Sequence, residues 1–363
     1  MRDKSISDRE SGVLQRIELI RLRRPRFTDE FITLAHGAGG KASAALIDSI
    51  FLDSFAPGSS EPLSDAATLH LDSANRLAFS TDSYVVKPYR FPGGSIGDLA
   101  VNGTVNDLAV SGARPLWLAA AFVIEEGFPI TELRSIVADM ASAAAAAGVR
   151  IVTGDTKVVE RGAADGIYIT TTGVGSIPAE RVLGSSTVEA GDVVLISGTI
   201  GDHGTAVMLA RGDYGLEADI RSDTAALNGL VDSLLISAPG TRWMRDPTRG
   251  GVGTVVNELA RDTGLAVVLD ESSLPVKAPV SAACELLGLD PLYIANEGKL
   301  LAVVPAAEAE AALTALRSHP LGVDASRIGE IAAEPKSIVV LRTPFGGTRI
   351  IDMLVGDPLP RIC

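Results

Sequence analysis

The strand-like and helix-like segments of this chain follow one another without strict β-α-β alternation, and this order restricts the fold strongly. Two β-like runs, Ala67–Leu71 and Arg76–Ser80, come in succession before a small-residue helix pattern over Gly94–Ser111. In the second half of the chain, the predicted strands also occur singly or in pairs between predicted helices. A doubly wound parallel sheet needs a crossover helix between its strands. The pattern therefore predicts two α+β domains with mixed sheets.

A segment of weak apolar periodicity divides the chain. Residues 176–191 contain Pro178 and two glycines, and a second series of strands and helices starts at Asp192. We predict four regions: a loosely ordered basic arm over 1–30, an N-terminal domain over 31–178, a C-terminal domain over 179–350 and a mobile tail over 351–363.

Composition excludes several classes of function. The 363 residues are 46% hydrophobic, which is enough for a large core. The formal net charge of −13 argues against binding to nucleic acid or to an anionic membrane surface. No apolar run approaches the ~20 residues of a membrane span, and the charged start lacks a signal-peptide core. With two cysteines far apart in sequence, we expect a cytoplasmic protein without disulfides.

Several aspartates lie beside glycines or at predicted strand ends in the N-terminal half. They are Asp65 in SDAAT, Asp82 in STDSY, Asp107 in VNDLA and Asp155 in the predicted turn Gly154–Lys157. Carboxylates that converge in a cleft suit Mg²⁺ bridging nucleotide phosphates. Alternatively, each aspartate forms a turn or caps a helix. Asp107 resists that alternative because a lone carboxylate is costly inside an apolar helix.

Two glycine-rich loops each lead into a predicted helix. They are His36-Gly-Ala-Gly-Gly-Lys41 and Asp246-Pro-Thr-Arg-Gly-Gly-Val-Gly253. Free backbone N–H groups at a helix start can hold phosphate. Neither loop has Walker A or Rossmann spacing, and a lone His36 is also compatible with a purely structural hydrogen bond.

The C-terminal segment ends in a thiol. Pro358 and Pro360 exclude a terminal helix, and a run of ~13 residues spans about 40 Å, enough to reach a cleft. Cys363 is therefore a candidate nucleophile, with Arg361 able to lower its pKa. The alternative is an incidental exposed cysteine. Cys284 lies in an apolar run and is predicted to be a small core residue.

Long sequence blocks resemble the HypE family of hydrogenase maturation proteins from about Ile32 to Cys363. The blocks are TDSYVVKPYRFPGGSIGDLAVNGTVNDLAVSGARP, IVTGDTKVVERG, SGTIGDHG, RDPTRGG, ANEGK and the terminal DPLPRIC. The resemblance implies the two-domain fold of aminoimidazole ribonucleotide synthetase (PurM-like), with selenophosphate synthetase and thiamine monophosphate kinase as fold relatives. It also implies a homodimer formed through the N-terminal sheets and ATP bound between the domains.

The resemblance further implies a reaction cycle on the chain's own C-terminus. The carbamoyltransferase HypF would load a carbamoyl group onto Cys363. ATP would phosphorylate the amide oxygen, and removal of the N–H protons with loss of phosphate would leave a thiocyanate, ADP and phosphate. The cyano group would then pass to iron on the HypC–HypD complex for NiFe hydrogenase.

Site roles are carried over onto matching positions. The resemblance implies Mg²⁺ ligands at Asp65, Asp82, Asp107, Asp155 and Asp246. It implies ATP contacts from His36, Gly37, Gly39, Gly40, Asn106, Thr156 and Lys157. It implies catalytic roles for Cys363, Lys157 and Glu297, the last as the base. Asn106 either orients a ligand or caps a helix.

Two other functions are compatible with parts of the sequence. One is another ATP-using member of the same superfamily that makes a phosphorylated small molecule. A selenophosphate synthetase would carry a reactive cysteine near its first glycine-rich loop, whereas no cysteine precedes Cys284. The other is a non-catalytic scaffold that carries metal on its tail thiol, although a single thiol is a poor metal site.

Overall fold

The computed structural model describes residues 40–46, 48–49, 67–70, 76–212, 215, 218–354 and 362. The predicted basic arm over 1–30 lies outside the described residues. Two mixed sheets organise the described part, one on each side of residues 178–192.

The N-terminal sheet has five strands in the order β1-β2-β7-β5-β6. Only β5 and β6 run parallel, and the other neighbours are antiparallel. The elements of this half are α1 Lys41–Leu46, β1 Ala67–His70, β2 Arg76–Tyr84, the short pair β3 Arg90–Phe91 and β4 Gly94–Ser95, α2 Ile96–Val110, β5 Arg114–Glu125, α3 Ile130–Ala147, β6 Arg150–Val159 and β7 Ile167–Ile177.

Helix α2 packs on the inner face of this sheet and is buried along nearly its whole length. The Ser95 hydroxyl caps its N-terminus by accepting from the N–H groups of Gly97 and Asp98. Small residues allow close contact: a Cβ at Gly103 would lie 2.2 Å from the Tyr84 hydroxyl. The helix therefore seats tightly against β2, and this contact fixes where the polar side chains of both elements meet.

The C-terminal sheet has seven strands in the order β14-β13-β10-β12-β8-β11-β9. All neighbours are antiparallel except β10 and β13. The elements are β8 Val193–Ile196, α4 Asp202–Arg211, α5 Asn228–Ser237, β9 Trp243–Arg245, α6 Gly251–Thr263, β10 Ala266–Asp270, α7 Ala278–Leu287, β11 Leu301–Val304, α8 Ala309–Ser318, β12 Ser326–Ala332, β13 Val339–Arg342 and β14 Thr348–Ile351.

Two details of the strand predictions are wrong. Residues 154–157 do not form a turn, because β6 continues from Arg150 to Val159 in parallel pairing with β5. Gly154 is needed for this pairing, since a Cβ there would lie 2.2 Å from the carbonyl oxygen of Ala120. Asp82 does not end its strand either, because β2 extends to Tyr84 through pairing with β7.

Two hydrophobic clusters contain residues of both halves, and one of them reaches the chain end. This cluster joins Ile96 and Leu99 of α2 to Val207 of α4 and Ala295, and it includes Ile362 near the chain end. The other shared cluster and a third one fill the faces of the C-terminal sheet. Within the part of the chain that the structure describes, no helix combines the length and apolar character that a membrane span requires.

Candidate active site

The N-terminal half contributes two neighbouring carboxylates through β2 and α2. The Ser80 hydroxyl donates to Oδ2 of Asp107 at 2.5 Å, and the Tyr84 hydroxyl donates to Oδ2 of Asp82 at 3.2 Å. Burial, followed by the charges of Asp82 and Asp107, raises the pKa of Tyr84 well above its usual value. The phenol therefore stays protonated and remains a donor. The contact of α2 with β2 thus brings two predicted metal ligands to one place.

Asp82 is solvent-accessible in β2, yet the protein atoms around its carboxyl raise its pKa by burial. The Tyr84 hydrogen bond and the charge of Arg249 act in the opposite direction. Arg249 belongs to the Asp246–Gly253 loop of the C-terminal half. Arg249 of the C-terminal half thus lies near enough to Asp82 of the N-terminal half to act on its pKa, and we call the space between these two residues the cleft.

Glu297 lies on the C-terminal side of the cleft and is 3% exposed. Its Oε1 atom is buried and has no hydrogen-bond partner among the described residues. Burial raises the pKa of Glu297 well above its usual value, and the nearby carboxylates add to this effect while Arg249 opposes it. The carboxylates that act on Glu297 are Asp246, Asp223 and Asp82. A buried, unpartnered carboxyl among acids is costly for the fold and is typical of a functional group.

The segment that carries Glu297 is held by its neighbours in the sequence. Asn296 donates to the carbonyl of Pro247 at 3.0 Å and accepts from the N–H of Gly201 at 2.8 Å. The N–H of Glu297 donates to Oδ1 of Asp223 at 3.1 Å. These bonds hold the backbone at Glu297 against three other segments, at Pro247, Gly201 and Asp223.

Asp223 forms a buried ion pair with Lys299, at 3.2 Å between Oδ2 and Nζ. Burial acts to raise the pKa of Asp223, but Lys299, His203 and the N–H of Glu297 outweigh it and hold the pKa below its usual value. Asp223 is therefore a carboxylate beneath Glu297, and its charge is compensated by Lys299.

The chain end reaches this region. Ile362 is 4% exposed, and its carbonyl lies 2.6 Å from Nε2 of His203 in α4. His203 is close enough to Asp223 for their charges to interact. Cys363 and residues 355–361 lie outside the described residues, so the predicted mobility of the tail stays a prediction. Ile362 itself is seated in the protein, one residue from the candidate nucleophile.

Asn106 connects the two halves. Its Nδ2 atom donates to the carbonyls of Ala225 at 3.0 Å and Glu297 at 3.3 Å, and its Oδ1 atom accepts from the N–H of Leu227 at 2.8 Å. The side chain is 1% exposed. Both polar atoms are used within the protein, and this favours a role in positioning Glu297 over direct contact with a nucleotide.

Another predicted group lies on the exposed strand β6. Asp155 pairs with Lys157 at 3.0 Å, and its carboxylate also accepts from the N–H of Thr156 at 2.8 Å. The Lys157 hydrogen bond, followed by the Thr156 N–H, lowers the pKa of Asp155. None of the hydrogen bonds or ion pairs described for these residues joins them to Asp82, Asp107 or Asp246.

The first glycine-rich loop lies largely outside the described residues, which exclude His36, Gly37, Gly39 and also Asp65. Gly40 is described and packs against the segment after β14, where a Cβ would lie 2.2 Å from the carbonyl oxygen of Leu354. The Lys41 side chain reaches Asp352 in the same segment at 2.8 Å. The start of α1 is thus tied to the root of the C-terminal tail.

The second glycine-rich loop places Asp246, which is 5% exposed, at the start of the approach to α6. Gly250 and Gly251 adopt positive φ angles of 79° and 61°. A Cβ at Gly251 would lie 2.5 Å from the carbonyl oxygen of Leu292. Close packing and the left-handed turn therefore explain these glycines without a phosphate.

The donor set suits a hard cation. Asp82, Asp107 and Asp246 offer carboxylate oxygens. Burial, followed by the charges of Asp246, Asp223 and Asp82, raises the pKa of Glu297, and a cation nearby would offset those charges. Within the described ranges, no three His, Cys, Asp or Glu side chains lie close enough together to hold a metal by themselves. A magnesium ion would therefore need oxygen atoms from its ligand as well, as Mg²⁺ does when nucleotide phosphates bind it.

Comparison with known proteins agrees with this architecture. Residues 63–177 match the family described as AIR synthase related protein, N-terminal domain, and residues 189–342 match its C-terminal domain. A protein of Rhodobacter capsulatus named carbamoyl dehydratase HypE is 54% identical over 338 residues, which cover 92% of this chain and 99% of that protein. The chain belongs to the HypE family.

Solved HypE structures have the same fold. The HypE chain of a HypE–HypF complex is 47% identical, with a TM-score of 0.80 over 85% of this chain and 100% of that one. HypE in complex with ATP is 46% identical, with a TM-score of 0.76 over 92% of this chain and 100% of that one. The predicted resemblance to HypE and the predicted two-domain α+β fold are confirmed.

Several residues at the HypE site were missed in the sequence analysis. They are Tyr84, His203, Asp223, Arg249 and Lys299. Four of them stand inside quoted blocks: Tyr84 in the block that begins TDSYVVK, His203 in SGTIGDHG, Arg249 in RDPTRGG and Lys299 in ANEGK. Asp223 has no local signal, because its role depends on a lysine that lies far along the chain.

Proposed function

We propose that this chain uses ATP to dehydrate a carbamoyl group on the sulfur of Cys363, which converts an S-carboxamide into a thiocyanate. The observation that carries the proposal is the buried Oε1 of Glu297, which lies among carboxylates and has no hydrogen-bond partner within the described part of the chain. Relatives named carbamoyl dehydratase HypE and a HypE structure in complex with ATP support it. The net reaction is carboxamide plus ATP to thiocyanate, ADP and phosphate, so the amide oxygen leaves in phosphate.

ATP supplies the phosphoryl group that turns the amide oxygen into a leaving group. Glu297 accepts an N–H proton from the activated amide, and its buried environment makes its carboxylate a strong base. Mg²⁺ would be held by Asp82, Asp107 and Asp246 together with phosphate oxygens, and its charge would offset the acids that raise the pKa of Glu297. Arg249 adds a positive charge on the same side of the cleft.

The remaining assignments extend this proposal. Asp65 and Asp155 are further candidate Mg²⁺ ligands, and Lys157 with Thr156 and the His36–Gly40 loop are candidate phosphate contacts. Asn106 holds the backbone of Glu297 in place. We propose that Cys363 reaches Glu297 because the preceding residue, Ile362, is held nearby. Ile362 contacts His203, the charge of Asp223 acts on His203, and Asp223 accepts from the N–H of Glu297.

The proposal includes three partners. HypF would load the carbamoyl group, and a HypE–HypF complex is known for a relative. The HypC–HypD complex would receive the cyano group for NiFe hydrogenase. A second copy would cover the outer face of the N-terminal sheet, where Phe79, Val174 and Trp117 form a cross-strand row and both aromatic residues are 44% exposed.

The test is the intact mass of the protein after incubation with HypF, carbamoyl phosphate and ATP. We expect a carbamoyl adduct on Cys363 that then loses the mass of one water when the protein's own ATP turnover proceeds. The Glu297→Gln variant should acquire the adduct and keep it. An adduct that never loses water in the wild-type protein would refute the dehydratase proposal.

A further inference from the structure

His203 lies at the junction of the two domains and touches the chain end. Its side chain is fully buried in the first turn of α4. Nε2 is 2.6 Å from the carbonyl oxygen of Ile362, and Nδ1 is 2.8 Å from the hydroxyl of Ser222. The ring of Phe91 meets the imidazole edge-on, with 5.4 Å between the ring centroids.

The hydrogen bonds determine which nitrogen carries the proton. A carbonyl oxygen can only accept, so Nε2 of His203 must be the donor to Ile362. Burial lowers the pKa of His203, and a neutral imidazole with a proton on Nε2 has an accepting Nδ1. The Ser222 hydroxyl donates its hydrogen to that atom, while its oxygen accepts from the N–H of Thr224 at 3.1 Å. Each polar atom of this network then has a compatible partner.

Both domains build this network. The N–H of Ser222 donates to the carbonyl of Pro92 in the N-terminal half at 2.7 Å. A Cβ at Gly93 would lie 2.6 Å from the carbonyl oxygen of Ser222, so the two loops are in close contact. The side chain of Ile362 belongs to a hydrophobic cluster shared by the two halves. The position of Ile362 therefore depends on the arrangement of the domains as well as on α4.

We propose that His203 is a positioning residue that seats the chain end by binding the main-chain carbonyl of Ile362, which places the next residue, Cys363, at the active site. The proposal rests on the proposed role of Cys363 as the carbamoyl carrier. His203 exchanges no proton in the reaction, because both its nitrogens are engaged. The seat recognises one peptide carbonyl and one apolar side chain, so it accepts the tail before and after the thiol is modified.

The test measures how fast iodoacetamide alkylates Cys363 in the full chain without ATP or HypF. Cys284 is buried and serves as an internal reference in each sample. In His203→Asn the amide lies where Nδ1 was and cannot reach Ile362. In His203→Gln the amide nitrogen takes the place of Nε2 and can still donate. Peptide mass spectrometry separates the two cysteines.

We expect His203→Asn and His203→Phe to raise the alkylation rate of Cys363 about threefold to tenfold, the effect of losing one net hydrogen bond. His203→Gln should stay within about twofold of the wild type. Equal rates in all four proteins would overturn the proposal. An increase in His203→Gln as large as in His203→Asn would also overturn it, because packing alone would then explain the seat.

A second variant covers the case in which substitutions at His203 prevent folding. Ser222→Ala keeps the imidazole and removes the hydroxyl that donates to Nδ1 and accepts from the N–H of Thr224. The rate at Cys363 should therefore rise, and an unchanged rate would overturn the proposal. The assay uses uncarbamoylated protein without ATP. Its result is therefore independent of whether the dehydratase proposal holds.

Discussion

Replacing Glu297 with Gln should stabilise the protein while removing its activity. The folded-state pKa of Glu297 is raised above its usual value of 4.5 by burial and by Asp246, Asp223 and Asp82. For a group with a raised pKa, the folded state binds a proton more tightly than the unfolded chain does. The contribution of Glu297 to stability is therefore fully present below a pH of about 4.5, and it is lost as the pH rises through the folded pKa. Gln does not titrate and does not incur this loss.

The size of the gain follows from the environment of Oε1, which is buried and without a partner. Leaving a buried polar group unsatisfied costs about 1–3 kcal/mol, and the Gln amide can donate to the neighbouring carboxylates. We expect the variant to gain about this amount at alkaline pH, or roughly 2–12 °C in Tm at about 2–4 °C per kcal/mol. At acidic pH, where Glu297 is protonated, the gain should vanish.

The assay is thermal unfolding of both proteins across a pH series without nucleotide, together with the dehydration assay. Glu310→Gln, the same change at an exposed site on α8, is the matched control and should leave the pH profile unchanged. Dehydration by Glu297→Gln should fall at least about 100-fold, the loss expected without a general base. A Tm difference that does not grow with pH, or dehydration at the wild-type rate, would refute the reasoning.

Three further outcomes follow from the site and the sheet. Cys363→Ala should form no carbamoyl adduct in the mass assay, yet it should unfold at the wild-type temperature and bind ATP normally. Asp82→Asn should weaken Mg²⁺–ATP binding at least about tenfold by calorimetry, about 1.4 kcal/mol, and the same measurement on Asp155→Asn decides whether β6 contributes a ligand. Trp117→Arg should shift the protein toward monomer in analytical ultracentrifugation, whereas Val182→Arg, also exposed, should not.

Local sequence patterns were sufficient to predict structure where a single helix or strand determines it. Helix α3, Ile130–Ala147, is an alanine-rich run, and it ends where Gly148 takes the left-handed cap conformation. Asp107 does lie inside an apolar helix, α2. There its carboxylate accepts a hydrogen bond from the Ser80 hydroxyl. A partner of this kind was expected, because a lone carboxylate inside an apolar helix is costly.

Long-range pairing was not visible in the sequence. Gly154 looked like a turn residue, but it lies within β6, since only a glycine permits the close approach to Ala120. Asn106 looked like a ligand or a cap, and it bridges two segments that lie 119 and 191 residues away. No periodicity within either domain encodes such contacts, because they depend on how the domains meet.

The short run Ala-Asn-Glu-Gly-Lys shows how the missed contacts could be inferred together. Asn296 holds the Pro247 loop, Glu297 faces the cleft and Lys299 pairs with Asp223. Gly298 permits the close approach of the Asp223 backbone, since a Cβ at position 298 would lie 1.8 Å from the carbonyl oxygen of Asp223. The residues before a strand do not ordinarily need a carboxyl, a glycine and an ammonium in succession, as at Glu297, Gly298 and Lys299. Here the glycine brings the Asp223 backbone close enough for Lys299 to form its ion pair with Asp223. The pKa of Glu297, in contrast, stays raised despite the charge of Arg249.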